Sequence, residues 1–266
     1  MMLVIIGIII GAVGTLAGIG GGIFIVPILL SFYGFSPQTA IGTSLLVVAF
    51  NAFSGTVAYA RYKRIYFPLG VIIIVSGIPG IVIGAYAADL FTGAAFKIVF
   101  SAVLILVATH LLFRRNKLSG DAAACLPDRT TPVVRAGTPL RLSTGMTVSV
   151  VLIGFITGFI ASVLGIGGGI IHVPALIYLL KIPVHIATAT SHFILFNTVL
   201  LSLVPHTLLG HIDYHSGLLL GLGALLGAQA GAYISSRVHS RVIMIILALV
   251  LAAAALNMFL SSAPIP

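Results

Sequence analysis

A chain of 266 residues that is 60% hydrophobic and only 6% charged is too apolar for one or two soluble domains, and its mean hydropathy of +1.26 places it among polytopic membrane proteins. Thirteen Lys and Arg against four Asp and Glu would suggest nucleic acid in a soluble chain. In a membrane chain such residues gather in loops and report topology, so no nucleic-acid partner is expected. The single cysteine, Cys125, excludes an intrachain disulfide and has no companions for a metal site.

The chain opens on a nearly uncharged run over residues 2–32, about 46 Å long if it were one helix and longer than a hydrocarbon core of about 30 Å. No Lys or Arg precedes Arg61, so no signal peptide is expected. Inside that run stands Gly18-Ile19-Gly20-Gly21-Gly22-Ile23-Phe24-Ile25-Val26-Pro27. Glycine in a helix interior costs roughly 1 kcal/mol relative to alanine, so the cluster should divide the run into two helices. Ser36-Pro37 then reads as a helix start, Ser as the cap and Pro at the first position. The helix that follows carries Thr43, Ser44 and Asn51 and ends near the basic loop Arg61-Tyr62-Lys63-Arg64. Further spans are expected over 65–88 and 93–113.

Residues 114–142 break the pattern with three prolines, six Lys or Arg and two of the four acids, and read as a soluble linker. Beyond them the first half repeats. At a fixed offset of 147 residues, Gly165-Ile166-Gly167-Gly168-Gly169-Ile170-Ile171-His172-Val173-Pro174 matches the first glycine element at eight of ten positions. The register holds onward: Thr43-Ser44 match Thr190-Ser191, Gly80 matches Gly227, and Gly84-Ala85-Tyr86 match Gly231-Ala232-Tyr233. Spans are expected over 143–164, 184–204, 212–236 and 240–260, with a short helix over 170–180 after the second break. The chain thus divides into a first membrane repeat (1–113), a cytoplasmic linker (114–142) and a second membrane repeat (143–266).

Two arrangements accommodate these pieces. If each broken segment crosses fully, each half has four spans and the repeats run parallel. One face then carries nine basic residues and the other four. If each broken segment enters and returns, each half has three spans and the repeats are inverted. The cytoplasmic face then holds twelve basic residues and the outer face only Lys97. The positive-inside rule favours the inverted arrangement, a common transporter plan with discontinuous helices. The fold expected is therefore an all-α polytopic membrane protein of two inverted repeats, each a glycine-broken, re-entrant or discontinuous helix plus three spanning helices.

The breaks are the leading functional candidates. A helix that begins at glycines in the membrane presents unpaired N–H groups and the positive end of its dipole, which suits an anion. Gly20, Gly21 and Gly22 with Gly167, Gly168 and Gly169 are the candidate ligands, against the simpler reading of small residues for close helix packing. Thr43, Ser44, Thr190 and Ser191 lie roughly 10 Å into their helices and could add hydroxyl donors, with Asn51 and Asn197 second in rank. The competing role for those hydroxyls is a bond back to their own helix carbonyls. His172 and His192, placed where the first half has Ile25 and Leu45, are candidates for proton coupling or for neutral buried rings. His185, His206, His211, His215 and His239 are expected in solvent at loop ends. No Glu occurs, and Asp89, Asp121, Asp128 and Asp213 fall in loops or at span ends, so no buried carboxylate is available to carry a cation. No nucleophile–base pair, cofactor motif or metal cluster stands out, so neither an enzyme nor a cofactor is expected.

The paired GIGGG-x3-P elements, each followed by Thr-Ser, together with about eight hydrophobic segments, resemble the TauE/SafE sulfite exporter family. The resemblance implies a multi-pass permease of the cytoplasmic (inner) membrane. It implies a small oxyanion as cargo, sulfite or an organosulfonate; proton coupling through His172 or His192 is a separate expectation from their place in apolar segments. A permease for another small organic anion such as a carboxylate, and a non-transporting intramembrane enzyme, stand as alternatives. The partners expected are the bilayer, the anion and a second copy in a homodimer.

Overall fold

The computed structural model describes residues 1–17, 20–61, 65–91, 93–121, 144–180, 182, 184–235 and 240–260. They form ten helices, with no strand among the described residues. The first half holds α1 (Met2–Ala17), α2 (Gly22–Phe32), α3 (Pro37–Arg61), α4 (Phe67–Asp89) and α5 (Gly93–Asp121). The second holds α6 (Thr144–Leu164), α7 (Gly169–Tyr178), α8 (Val184–Leu208), α9 (Tyr214–Ser235) and α10 (Ser240–Leu260). Five of them, α3, α4, α6, α8 and α9, contain stretches long and apolar enough to cross a membrane. The protein is a multi-pass helical membrane protein.

Local chemistry sets the ends. α3 starts at Pro37 as expected, and the Ser36 hydroxyl accepts the Thr39 N–H at 3.2 Å. α5 departs from expectation. It continues to Asp121, past the end anticipated at Phe113, because Arg-Arg-Asn-Lys-Leu holds no proline or helix-breaking pair and lets the helix run on. The remainder of the linker, 122–143, lies outside the described residues.

Packing follows the small residues. Apolar side chains gain nothing from leaving lipid for another apolar surface, so membrane helices associate where small residues let backbones approach. On α1, Gly7 and Gly11 lie against the backbone of Leu220 and Ala224 of α9, and Gly223 and Gly227 lie against Ile8 and its neighbours. On α4, Gly80 meets the backbone of Phe155 and Phe159 of α6, and Gly84 meets Phe159 and Ser162. Contact positions rise together in both pairs, so the paired helices run in the same direction. At the 147-residue offset α1 corresponds to α6 and α9 to α4, so each interface is the counterpart of the other. The large side chains turn outward: Val71, Val75 and Val82 of α4 and Leu218, Leu222 and Leu226 of α9 are about half exposed. That pattern suits a lipid solvent and would be a liability in water.

At the centre α3 crosses its counterpart α8 in the opposite direction. Phe53 packs on Phe196 with ring centroids 5.5 Å apart, and Tyr59, further along α3, packs on His192, earlier in α8, at 5.0 Å. α2 and α7 sit beside α3 and α8 respectively. The chain after α1 folds back onto it: the Gly20 N–H donates to the Gly14 carbonyl at 3.2 Å, and Gly21 lies against Ile10. The two breaks therefore meet between α3 and α8, in the most buried part of the molecule.

Candidate functional site

Each break uses two successive residues in the left-handed region, Gly20 and Gly21 with φ of +86° and +84°, and Gly167 and Gly168 with +81° and +80°. Side chains with a Cβ resist that conformation, which explains why glycine stands at these four positions. The Gly21 carbonyl accepts the N–H groups of Phe24 (3.0 Å) and Ile25 (3.3 Å), and the Gly168 carbonyl accepts those of Ile171 (3.0 Å) and His172 (3.2 Å). These two bonds pair the same positions in both halves. Neither α2 nor α7 receives a side-chain cap at its N-terminus. The N–H groups ahead of Phe24 in α2 and ahead of Ile171 in α7 consequently lack intrahelical partners, in a largely buried region.

The breaks touch one another. A Cβ on Gly22 would lie 2.6 Å from the Gly165 carbonyl oxygen and 3.0 Å from Ile166 Cα, so only glycine allows this approach. Ser44 joins them, its hydroxyl donating to the Gly165 carbonyl at 2.9 Å with the Gly22 carbonyl 3.4 Å away. Leu195 of α8 lies across both tips: a Cβ on Gly20 or on Gly167 would come within 2.5 and 2.6 Å of its two methyl groups. Val48 of α3 lies beside it, 3.3 and 3.1 Å from the same two positions. The tips are thus covered by branched aliphatic side chains in this conformation.

Of the other sequence candidates, Asn51 reaches the site. Its amide nitrogen donates to the Gly20 carbonyl at 3.0 Å and its amide oxygen accepts from the Thr15 hydroxyl at 2.6 Å. Ser191, the counterpart of Ser44, is fully buried with no partner for its hydroxyl. Thr43 and Thr190 are engaged elsewhere. The Thr43 hydroxyl accepts the Asp213 N–H and the Thr190 hydroxyl accepts the Tyr66 N–H, both at 3.0 Å, so each ties down the chain entering a helix of the other half. Asn197 donates to the Phe193 carbonyl of its own helix at 2.8 Å and remains half-buried.

His172 lies one turn into α7 with Nε2 2.9 Å from the Thr157 hydroxyl. That hydroxyl lies 2.6 Å from the Ile153 carbonyl, to which it donates, so it accepts from His172 Nε2–H. Nδ1 of His172 then carries a lone pair with no partner. His192 donates Nδ1–H to the Thr188 carbonyl at 3.0 Å and packs on Tyr59 and Gly55, its Nε2 buried without a partner. His206 and His211 correct the expectation of solvated loop histidines: both are buried and bonded to each other, His206 also to Ser162 and His211 to Asp89. Sequence reasoning missed them because His206 stands near the end of α8 and His211 in the segment after it, where nothing local shows that α4 and α6 cover them. Thr15, Val48 and Leu195 were missed for the same reason. Among the described residues no group of His, Cys, Asp and Glu has the geometry to hold a metal ion.

Beside the second break lies a cavity of about 320 Å³ between α5, α6 and α7, lined by apolar side chains including Phe91, Val103, Phe159 and Ile170. Its lining suits acyl chains and offers no polar side chain to an ion.

Discontinuous helices whose uncapped ends converge inside a helical bundle define a class, the multi-pass membrane transporters. The chain belongs to the family described as Sulfite exporter TauE/SafE, which it matches over residues 3–258. It is 37% identical to the probable membrane transporter protein YunE of Bacillus subtilis, over 84% of each chain. It is 30% identical to a probable membrane transporter protein of Methanocaldococcus jannaschii over 71% of this chain and 66% of that one. A further Bacillus subtilis relative, the probable membrane transporter protein YjnA, is 27% identical over 84% of this chain and 85% of its own. No solved structure matches the chain. As a member of this family it is a membrane transporter and not an enzyme.

Proposed function

We propose that this protein is a secondary transporter of a small oxyanion, sulfite or an organosulfonate, in the cytoplasmic membrane, and that the paired glycine breaks are its anion site. One observation carries the reading: two helix N-termini without side-chain caps converge at the centre of the bundle, with Ser44 between them. Unpaired N–H groups and the positive ends of two dipoles attract negative charge, and a site between two hydrophobic layers magnifies that attraction. Gly20, Gly21, Gly22, Gly167, Gly168 and Gly169 would allow the backbone to approach the oxygens; Ser44 and Asn51, which bond the glycine carbonyls, and Ser191, the buried counterpart of Ser44, are the proposed side-chain donors. In the conformation described, Leu195 and Val48 close the tips, and their withdrawal admits the anion.

The two repeats, 1–113 and 143–266, are proposed to be inverted in the membrane, with the linker 114–142 in the cytoplasm. The opposite directions of α3 and α8 and the fold-back of α2 support this reading, as does the sequence count of twelve basic residues to one that the inverted arrangement assigns to the two faces. The test is uptake of radiolabelled sulfite, methanesulfonate and acetate into proteoliposomes. Saturable uptake of the sulfur oxyanions in preference to acetate is the expected result. Preference for acetate would reassign the substrate to carboxylates, and inertness toward all three would overturn the anion reading.

A further inference from the structure

Four side chains from different parts of the chain form a continuous hydrogen-bonded line at the end of the bundle where α4, α6 and α8 terminate. Asp89, the last residue of α4, lies 2.9 Å from Nε2 of His211. His211 Nδ1 lies 3.0 Å from His206 Nδ1. His206 Nε2 lies 3.2 Å from the Ser162 hydroxyl and 3.1 Å from the Ser162 carbonyl. Ser162 and His206 are fully buried and His211 nearly so, whereas the Asp89 side chain is 42% exposed. Ser162 stands three residues before Gly165, whose carbonyl receives the Ser44 hydroxyl. The line therefore joins the molecular surface to the edge of the second break.

The hydrogen bonds of this line can be completed in two ways. In one, the Ser162 hydroxyl donates to His206 Nε2, His206 Nδ1–H donates to His211 Nδ1, and His211 Nε2–H donates to the Asp89 carboxylate. Both rings are then neutral and the group carries the single negative charge of Asp89. In the other, His206 Nε2–H donates to the Ser162 carbonyl, which can only accept, and His206 Nδ1 accepts from His211 Nδ1–H. The 2.9 Å contact between His211 Nε2 and Asp89 then requires one further proton, and the group becomes neutral overall. The heavy atoms are in reach for both states, which differ by one proton taken from water at the Asp89 end.

We propose that Asp89, His211, His206 and Ser162 form the proton-binding site that couples proton binding to anion binding at the breaks. The proposal rests on the anion reading above. Loss of the Asp89 charge lowers the cost of bringing an anion to the neighbouring second break, so anion and proton each favour the binding of the other, as linkage requires. Among the described residues no other charged group faces the two rings. From α6 the facing group is Ser162, from α4 it is Asp89, and from α3 it is the backbone at Gly42. On the α9 side Asp213 turns to Ser216 and the His215 N–H, and the Tyr214 hydroxyl turns to Thr207. His172 and His192 each bond a single neighbour within the helices and reach no carboxylate.

The test is proton uptake by purified wild-type protein when methanesulfonate or sulfite is added in weakly buffered detergent solution, read with a pH indicator. A protein-free titration corrects for sulfite's own protonation. The expected result is net uptake on anion binding and an anion affinity that rises as pH falls. Asp89→Asn and His206→Gln should lose the uptake and flatten the pH dependence, whereas the exposed His215→Gln should retain both. Ser162→Ala is the milder variant, should the others fail to fold. It removes the donor of the unprotonated state, so it should reduce the pH dependence and still accumulate as folded protein. Anion binding by the wild type without proton uptake would overturn this proposal alone, as would unchanged coupling in folded Asp89→Asn, His206→Gln or Ser162→Ala. Failure of the wild type to bind either anion would overturn the anion reading and this proposal with it.

Discussion

The two glycine breaks share a backbone and differ in their polar surroundings. Both reverse the chain through two left-handed glycines and open a helix with no side-chain cap. At the first break Thr15 and Asn51 hold the Gly20 carbonyl through groups that do not titrate. Beside the second, the counterpart of Thr15 is Ser162, and it leads to His206, His211 and Asp89. At the same offset His206 corresponds to Tyr59. Duplication has preserved what the backbone must do, because positive φ and close approach tolerate only glycine, while the side chains around it were free to diverge. One half holds its break with amide and hydroxyl bonds; the other carries titratable groups beside its own.

The comparison breaks most severely at the shared feature. Gly22→Ala puts a methyl 2.6 Å from the Gly165 carbonyl and 2.9 Å from Val48, and Gly21→Ala or Gly168→Ala forces a Cβ into the left-handed region. Each should destabilise by about 1–3 kcal/mol and abolish anion binding. Gly80→Ala and Gly227→Ala, in the helix contacts outside the breaks, should lose stability and keep affinity in the molecules that fold. Anion affinity corrected for folded fraction, beside thermal stability in detergent, separates these outcomes. Normal affinity in the break variants would make the breaks packing devices.

A smaller effect sharpens the contrast between anchored and unanchored amides. Asn51→Ala leaves the buried Gly20 carbonyl and Thr15 hydroxyl without partners and should cost about 1–3 kcal/mol. Asn197→Ala removes only a bond to its own helix and should stay within about 0.5 kcal/mol. Denaturant titration of the two variants checks the difference, and equal costs would remove the special role of the first-break network.

Ser44 and Ser191 test the same asymmetry more finely. Ser44→Ala deletes a formed hydrogen bond between the breaks and should cost about 0.5–1.5 kcal/mol. Ser191→Ala deletes a buried hydroxyl that has no partner, so stability should hold or rise slightly. If both hydroxyls serve the anion, each variant should also weaken its binding roughly two- to tenfold. Unchanged affinity in Ser191→Ala would leave that hydroxyl without a function in transport.

The arrangement of the halves can be tested with no energetic change at all. In a Cys125→Ser background, single cysteines at Lys63, Gly120 and His239 should all react only with reagent on the cytoplasmic side. Labelling of His239→Cys from outside together with Lys63→Cys from inside would establish parallel repeats and remove the inverted reading.

Much of this architecture follows from sequence because the properties concerned are carried by single residues or by their spacing. Near-absence of charge marks a membrane chain, four glycines in five residues break a helix wherever they stand, and a 147-residue register declares the duplication. Ser36-Pro37 starts its helix as such a pair should. Tertiary structure alone decided which polar groups meet. Thr43 and Ser44 are adjacent, yet their side chains leave the helix about 100° apart, so one reaches the break and the other the start of α9. Asn51 and Asn197 both lie near the middle of their helices, but only the first faces a glycine tip. His206 is read from sequence as a loop-end residue and becomes a buried one because α6 ends beside it. Pattern specifies which face of a helix is apolar; what that face meets depends on helix ends brought together from residues tens of positions apart, a relation that no local signal carries.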